Sequence, residues 1–348
     1  MRATMIHGPG DIRLETRPDP QIRHDTDAIV QVVRSCVCGS DLWPYRGVRG
    51  TDEPRPIGHE FIGTVVERGA AVTALRDGDF VIAPFTFSDG DCAACRRGLT
   101  TSCARGGVWG TPCAEGGFHD GGQGDYVRVP LAGATLARLP QQPEVGMYRD
   151  LLALSDVMGT GHHAALSAKV GPGDTVVVVG DGAVGQCAVA AAARLGAERI
   201  VMMSRRNDRQ TLARRMGATD VVSERGADGI AAALEVLGGP ADAALECVGT
   251  EESFDQCLGV LRPGGRLGYV GVPATSPTLP LDRLFGQNIS VAGGMAPVRP
   301  YIDELLPDVL TGKLFPGLVF DRAVPLTEVD RAYSMMDQRK SIKTMLTH

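Results

Sequence analysis

The sequence predicts an α/β chain with two domains, a doubly wound parallel sheet and a β-rich domain built from both chain ends. Three observations predict it. A β-branched run, Thr175-Val176-Val177-Val178-Val179, is followed at once by Gly180-Asp181-Gly182-Ala183-Val184-Gly185 and an alanine-rich stretch. From about 151 to 290 strand-like and helix-like segments alternate, the pattern of a parallel sheet. Before about residue 150 the apolar runs are short and separated by Gly, Pro and Asp, which suits a small irregular barrel.

Length and composition fit that division. The chain has 348 residues, 43% hydrophobic and 22% charged, so it has ample core material for two domains. A net charge of −6 with no basic block argues against nucleic acid as a partner. No apolar run approaches the roughly 20 residues of a membrane helix, and Met1-Arg2-Ala3-Thr4-Met5-Ile6 lacks the apolar core of a signal peptide. The nine cysteines are an odd number and several are clustered, so reduced thiols and zinc in a cytoplasm are expected, not a disulfide framework.

In chain order, residues 1–150 are expected to carry short strands at Ala28 to Val33, Ile62 to Val66 and Phe80 to Ala83. Residues 151–290 are expected to form the parallel sheet. Its strands are Thr175 to Val179, Arg199 to Met203, Ala241 to Cys247 and Gly265 to Val272. Its helices are Gln186 to Leu195, Asn207 to Met216 and Ile230 to Leu237. The tail, 291–348, has strand-like pieces and a helix at Thr327 to Arg339, and is expected to complete the first domain.

The glycine stretch carries the first chemistry. Gly180 permits a tight turn, Gly182 lets the backbone approach a pyrophosphate, and Gly185 lets helix and strand pack closely. Ala183 and Val184 belong to the same turn, and the N-terminus of the following helix offers free N–H groups to phosphate oxygens. An NAD site carries an acidic residue about 20 residues on, to bind the ribose 2′-hydroxyl. Here that place holds Ser204-Arg205-Arg206, with Arg209 close behind. Guanidinium groups suit a 2′-phosphate, so NADP(H) is favoured over NAD(H).

Two clusters in the first domain have metal-ligand chemistry. One is Cys36-Val37-Cys38-Gly39-Ser40-Asp41 with Gly58-His59-Glu60 further on; thiolate and neutral imidazole are good zinc ligands. The other is Asp89, Cys92, Cys95 and Cys103, in a Gly-rich lobe at about 89–125. Thiols so closely spaced suit a closed structural zinc site.

Cys38-Gly39-Ser40-Asp41, the stretch Gly58-His59-Glu60-x2-Gly63-x5-Gly69, the Cys-rich lobe and Gly180 to Gly185 together resemble the zinc-containing medium-chain dehydrogenases/reductases, the alcohol dehydrogenase family. Their order and spacing match over nearly the whole chain. The resemblance implies a GroES-like catalytic domain, 1–150 and 291–348, around a Rossmann domain at 151–290. It implies that Cys38 and His59 are catalytic zinc ligands and that Asp156, at the start of the nucleotide domain, is the third. Glu60 resembles the family's glutamate, which neighbours the metal or takes a coordination position. Asp41 resembles the carboxylate that orients His59, and Ser40 the hydroxyl that takes the substrate proton. Thr160, Val270 and Val272 fall where the family contacts the nicotinamide end. Phe85 falls where an aromatic ring lines the substrate cleft.

Two positions depart from the family. Trp43 stands where the outer histidine of the proton relay often sits, as a pocket wall or as packing in the barrel. Asp89 stands at the first of four lobe cysteines, so the lobe holds a Cys3Asp site, recruits Cys113, or is vacant.

The expected activity is hydride transfer between NADP(H) and an alcohol or carbonyl compound, with zinc as Lewis acid and Ser40 as proton relay. Trp43, Phe85 and Trp109 suggest an apolar or aromatic substrate. Two other readings are open: reduction of an activated C=C or C=N bond, and a non-catalytic NADPH-binding sensor. The family forms dimers and tetramers, and Asn288 to Ala292 offers a sheet edge for such pairing.

Overall fold

The computed structural model describes residues 1–48, 53–273 and 277–348. The chain divides into two compact units. One comprises Met1–Asp156, Pro297–Lys313 and Phe320–His348, and the other Val157–Ala296 with Leu314–Val319.

The first unit is held by a seven-stranded sheet. Its main path runs Ala137–Arg138, Phe80–Ala83, Phe61–Arg68, Ala28–Cys36, Lys343–Thr347, Phe320–Pro325, and Tyr126–Val129 also pairs with Ala28–Cys36. Ala28–Cys36 meets the C-terminal strand antiparallel, with Cys36 opposite Met345. The two ends of the chain therefore share one sheet. Alternation along these strands buries Val30, Val32, Phe61, Val65, Val81 and Val127 in one core. That core is continuous with the lobe through Phe87 and Trp109.

The second unit is a six-stranded, wholly parallel sheet. The strand order is Asp220–Val222, Arg199–Met203, Thr175–Val179, Ala241–Glu246, Leu261–Tyr269, Ser290–Gly293. Numbered within the unit, that is 3-2-1-4-5-6, the dinucleotide-binding order. The order reverses between Thr175–Val179 and Ala241–Glu246, and ligands bind at the carboxyl ends of the strands at such a point. The central strands carry Val, Ile, Ala and Leu with almost no charge because helices cover both faces.

Several sequence expectations meet the structure residue for residue: Phe80–Ala83, Arg199–Met203 and Asn207–Met216. Others shift. The helix expected from Ile230 begins at Gly226. The strand expected at Gly265 to Val272 runs Leu261–Tyr269, so Val270 and Val272 lie in the loop beyond its carboxyl end. The strand Asp220–Val222 was not foreseen. Among the described residues, no helix is long and apolar enough to cross a membrane.

Candidate metal centres and cofactor loop

The first cluster is assembled by three segments of the first unit. Cys38 follows the Ala28–Cys36 strand, His59 and Glu60 precede the Phe61–Arg68 strand, and Asp156 ends the unit's first segment. Ligand atoms from Cys38, His59, Glu60 and Asp156 all lie within 4.8 Å of one another. Asp156 Oδ2 is 3.5 Å from His59 Nε2 and 3.9 Å from Cys38 Sγ. The His59 side chain is 12% exposed, and Asp41 Oδ1 lies 3.1 Å from its Nδ1, which leaves Nε2 facing the other donors. Asp41 is fixed in turn: its Oδ2 accepts hydrogen bonds from Cys38 N at 2.9 Å and Gln123 Nε2 at 3.3 Å. Tyr333 donates to Gln123 Oε1 at 3.1 Å.

Charge at this cluster is arranged for a cation. Burial opposes the His59 imidazolium, but Asp41, Cys38 and Asp156 outweigh it and raise its pKa well above normal. Burial, reinforced by Glu60, raises the Cys38 thiol. A metal ion would take the place of those protons. Glu60 is fully buried; its Oε1 accepts from Lys343 Nζ at 2.6 Å, while Oε2 has no hydrogen-bond partner. An orphaned buried oxygen beside a thiol, an imidazole and a second carboxylate is the donor set zinc takes. Ser40 Oγ is 3.4 Å from His59 Nε2, and the Phe85 ring meets the imidazole edge-on with centroids 6.4 Å apart. Trp43 is half-buried on the short Leu42–Tyr45 helix. Trp109, expected at the substrate pocket, is corrected to a core residue. It is 3% exposed, packs edge-on against Phe61, and donates from Nε1 to Pro84 O at 2.9 Å.

The lobe brings Asp89, Cys92, Cys95 and Cys103 within 4.8 Å of one another. Cys113 is not part of that group. Asp89 N donates to Cys103 Sγ at 3.3 Å, and Asp89 Oδ1 accepts from Asp91 N and Cys92 N, both at 3.0 Å. Arg105 Nε donates to Asp89 Oδ2 at 2.9 Å. Backbone N–H groups, that of Cys92 first, together with Arg105 hold the Asp89 carboxyl well below the usual carboxylate range. Backbone N–H groups also lower the Cys92 thiol, whereas burial and the neighbouring thiols push Cys95 up to about 12. Zinc bound here would displace the protons of these thiols to solvent, whereas the Asp89 carboxyl is held in its ionised form.

In the second unit the glycine loop has the expected form. Gly180 sits at φ +115°, and a Cβ on Gly185 would lie 1.6 Å from Gly180 O, so the helix packs on the turn only without a side chain there. Gly182 caps the Ala183–Arg194 helix with no side-chain hydrogen bond, and a Cβ on it would meet nothing within 4 Å. Ala183 and Val184 are half-buried in its first turn. The open space before uncapped N–H groups suits a pyrophosphate. Thr160 lies on the Val157–Ser167 helix; Val270 is buried and Val272 exposed.

The ribose end holds a surprise. No acidic residue stands in Ser204-Arg205-Arg206, yet a carboxylate reaches that place from the glycine loop. Asp181 Oδ2 accepts from Ser204 Oγ at 2.7 Å, and Asp181 Oδ1 accepts from Arg209 Nη1 at 3.1 Å. Arg209 is buried, whereas Arg205 is exposed.

Sequence reasoning missed Lys343, Gln123, Tyr333, Arg105 and the reach of Asp181. A lysine in the otherwise uncharged Lys343–Thr347 strand signals a buried charge needing a partner. Arg105 stands two residues after Cys103. Nothing in the sequence marks Gln123 or Tyr333.

Comparison with known proteins identifies the family. Residues 24–141 match the family model described as alcohol dehydrogenase GroES-like domain, and residues 183–310 that described as zinc-binding dehydrogenase. A zinc-type alcohol dehydrogenase B from Aspergillus flavus is 30% identical, covering 99% of this chain and 81% of the relative. A medium chain reductase/dehydrogenase from an Acremonium species is 37% identical, covering 78% of this chain and 93% of its own. The alcohol dehydrogenase TADH from Thermus sp. ATN1 superposes with a TM-score of 0.91 at 31% identity, covering 100% of this chain and 99% of its own. A GroES-like unit and a Rossmann unit, matched along their lengths by such relatives, place the chain in the zinc-containing medium-chain dehydrogenase/reductase family, as an oxidoreductase.

Proposed function

We propose that this chain interconverts an alcohol and a carbonyl compound with NADP(H), on a zinc ion held by Cys38, His59 and Asp156. The observation that carries the reading is the convergence of those three donors beside Ser40 Oγ, 3.4 Å from His59 Nε2. When bound, zinc supplies Lewis-acid polarisation of the substrate oxygen, and the nicotinamide supplies or accepts the hydride.

The chain's own residues do the rest. Asp41 fixes the His59 ring so that Nε2 faces the metal position. Ser40 Oγ takes the proton of an alcohol, or returns one to a newly formed alkoxide. Trp43 offers no second proton carrier, so the proton leaves Ser40 to water. Phe85, edge-on to His59, gives the substrate an apolar wall, and Trp43 extends it; an apolar or aromatic substrate follows. Glu60 Oε2 stands by as an alternate ligand while Lys343 holds Oε1. The lobe residues Asp89, Cys92, Cys95 and Cys103 hold a second, structural zinc.

In the Rossmann unit, Gly180, Gly182, Ala183, Val184 and Gly185 take the pyrophosphate, and Thr160, Val270 and Val272 the nicotinamide end. Among Ser204, Arg205 and Arg209, Arg205 carries the contact to the 2′-phosphate. Its guanidinium is exposed and no partner for it is seen among the described residues, whereas Arg209 is already engaged. The exposed edge strand Ser290–Gly293 supports pairing with a second copy.

The test is NADPH oxidation by the zinc-loaded protein with aldehydes, ketones and enals. Turnover of simple aldehydes or ketones is expected. Turnover of enals alone would replace this reading with C=C reduction. Tight NADPH binding with no turnover of any compound would replace it with a sensor.

A further inference from the structure

Asp181 occupies the position between the first two glycines of the cofactor loop. Its side chain is only 12% exposed. The carboxylate is not turned to solvent but spans to the segment after the second strand. There Oδ2 takes the Ser204 hydroxyl at 2.7 Å and Oδ1 takes Arg209 Nη1 at 3.1 Å. The same Nη1 donates to the Asp181 carbonyl, also at 3.1 Å. The Arg209 side chain is 8% exposed, and its Nε is buried without a hydrogen-bond partner.

In a dinucleotide-binding sheet, the residues after the second strand meet the substituent on the adenosine ribose 2′ carbon. Of the groups there able to hold a phosphate, Ser204 and Arg209 are thus taken up by a carboxylate before any cofactor arrives. A ribose 2′-hydroxyl can donate a hydrogen bond to that carboxylate. A 2′-phosphate cannot, because both partners are acceptors and both are negative. Arg206 is paired with Asp208 at 3.2 Å, and among the described residues Arg205 is the cation of this segment with no partner seen.

We infer that Asp181 is a cofactor-specificity residue: it accepts the 2′-hydroxyl of NAD(H), opposes the 2′-phosphate of NADP(H), and holds the preference conferred by Arg205 to a modest one. The inference rests on the proposed dinucleotide role of this loop. It stands whether the wild type binds NADH better or NADPH only modestly better.

The test measures dissociation constants of NADPH and NADH for the zinc-loaded protein by calorimetry, in wild type, Asp181→Asn and Asp181→Ala. Binding of adenosine 2′,5′-bisphosphate and of AMP is compared as a readout free of the nicotinamide. Asp181→Asn keeps an oxygen for Ser204 while removing the charge. It frees Arg209 for a charge-assisted contact. The NADPH-to-NADH affinity ratio is expected to move toward NADPH by about tenfold or more in both variants, a change of about 1.4 kcal/mol. The bisphosphate-to-AMP ratio should move with it. In wild type the two dinucleotides should bind within about tenfold of each other, again about 1.4 kcal/mol. Ratios unchanged within twofold, or moved toward NADH, would overturn the inference, as would a wild-type preference for NADPH beyond a hundredfold. A wild type that prefers NADH, with variants shifted as stated, would overturn the proposed NADP(H) preference and support the role of Asp181.

Discussion

Lys343→Met should destabilise the first unit by about 3–5 kcal/mol, the usual cost of breaking a buried ion pair from one side. Lys343 and Glu60 side chains are 1% and 0% exposed, and Nζ is 2.6 Å from Oε1. Methionine fills most of the aliphatic stem, so little cavity is made and the loss is electrostatic. It removes the bond to Glu60 and a longer one, 3.4 Å, to Val37 O. Glu60 Oε2 already lacks a partner, so the buried carboxylate would lose both the Lys343 hydrogen bond and its countercharge. Domains have stabilities of about 5–15 kcal/mol, so the loss is a large fraction. The assay is urea unfolding followed by tryptophan fluorescence, with zinc removed by a chelator so that no metal ion compensates Glu60. Both tryptophans, Trp43 and Trp109, lie in the first unit, so the signal reports that unit. The double variant Glu60→Gln with Lys343→Met carries no buried charge at the pair and should recover part of the loss. A single variant within 1 kcal/mol of wild type, or a double variant worse than the single, would refute the reasoning.

Three further outcomes are expected. Asp41→Asn should weaken zinc at the Cys38 cluster by about 10–100-fold, because the group that orients His59 is lost; competition with a chromophoric chelator measures it. Elemental analysis should find two zinc ions per wild-type chain and one in Asp89→Ala, and a wild type with a single zinc that is lost in His59→Ala would leave the lobe empty. The raised His59 pKa sets a sign for pH dependence: the metal-free chain holds that proton near neutrality, so zinc must displace it. Apparent zinc affinity should therefore fall as pH is lowered, by up to about tenfold per unit for each proton displaced, and a pH-independent affinity would contradict the assignment.

How much was legible depends on whether a signal is local. Thr175–Val179 and the glycine turn declare themselves because a double-covered strand needs an uninterrupted apolar run and the turn needs glycine. Asp220–Val222 is short and opens on a charge, so it lacks that signal, though its neighbour Arg199–Met203 supplies the hydrogen bonds that make it a strand. Gly226-Ala227-Asp228-Gly229 looks like a turn in isolation, and Pro263-Gly264-Gly265 hides the start of the Leu261–Tyr269 strand. An aromatic residue such as Trp109 suits a substrate pocket and a core equally by type; here Phe61 and Phe87 pack against it in the core. The candidate donors Asp89, Cys92, Cys95 and Cys103 stand out by type and spacing, whereas Cys38 and His59 stand out through the resemblance to the dehydrogenase family. Their supports do not: Lys343 lies 283 residues from Glu60, and Tyr333 lies 210 from Gln123. The Asp181 carboxylate was read only as loop composition, since its reach to Ser204 and Arg209 depends on the sheet bringing the two strands together.

The proposed function turns on Asp156 as a ligand of the catalytic zinc. The direct measurement is Asp156→Ala, with zinc content, NADPH affinity and carbonyl turnover determined on one preparation. Loss of one zinc per chain and of turnover, with NADPH affinity within about twofold of wild type, a change of less than 1 kcal/mol, is the predicted result. Wild-type kcat with a full zinc complement would contradict it and move the third ligand to another residue.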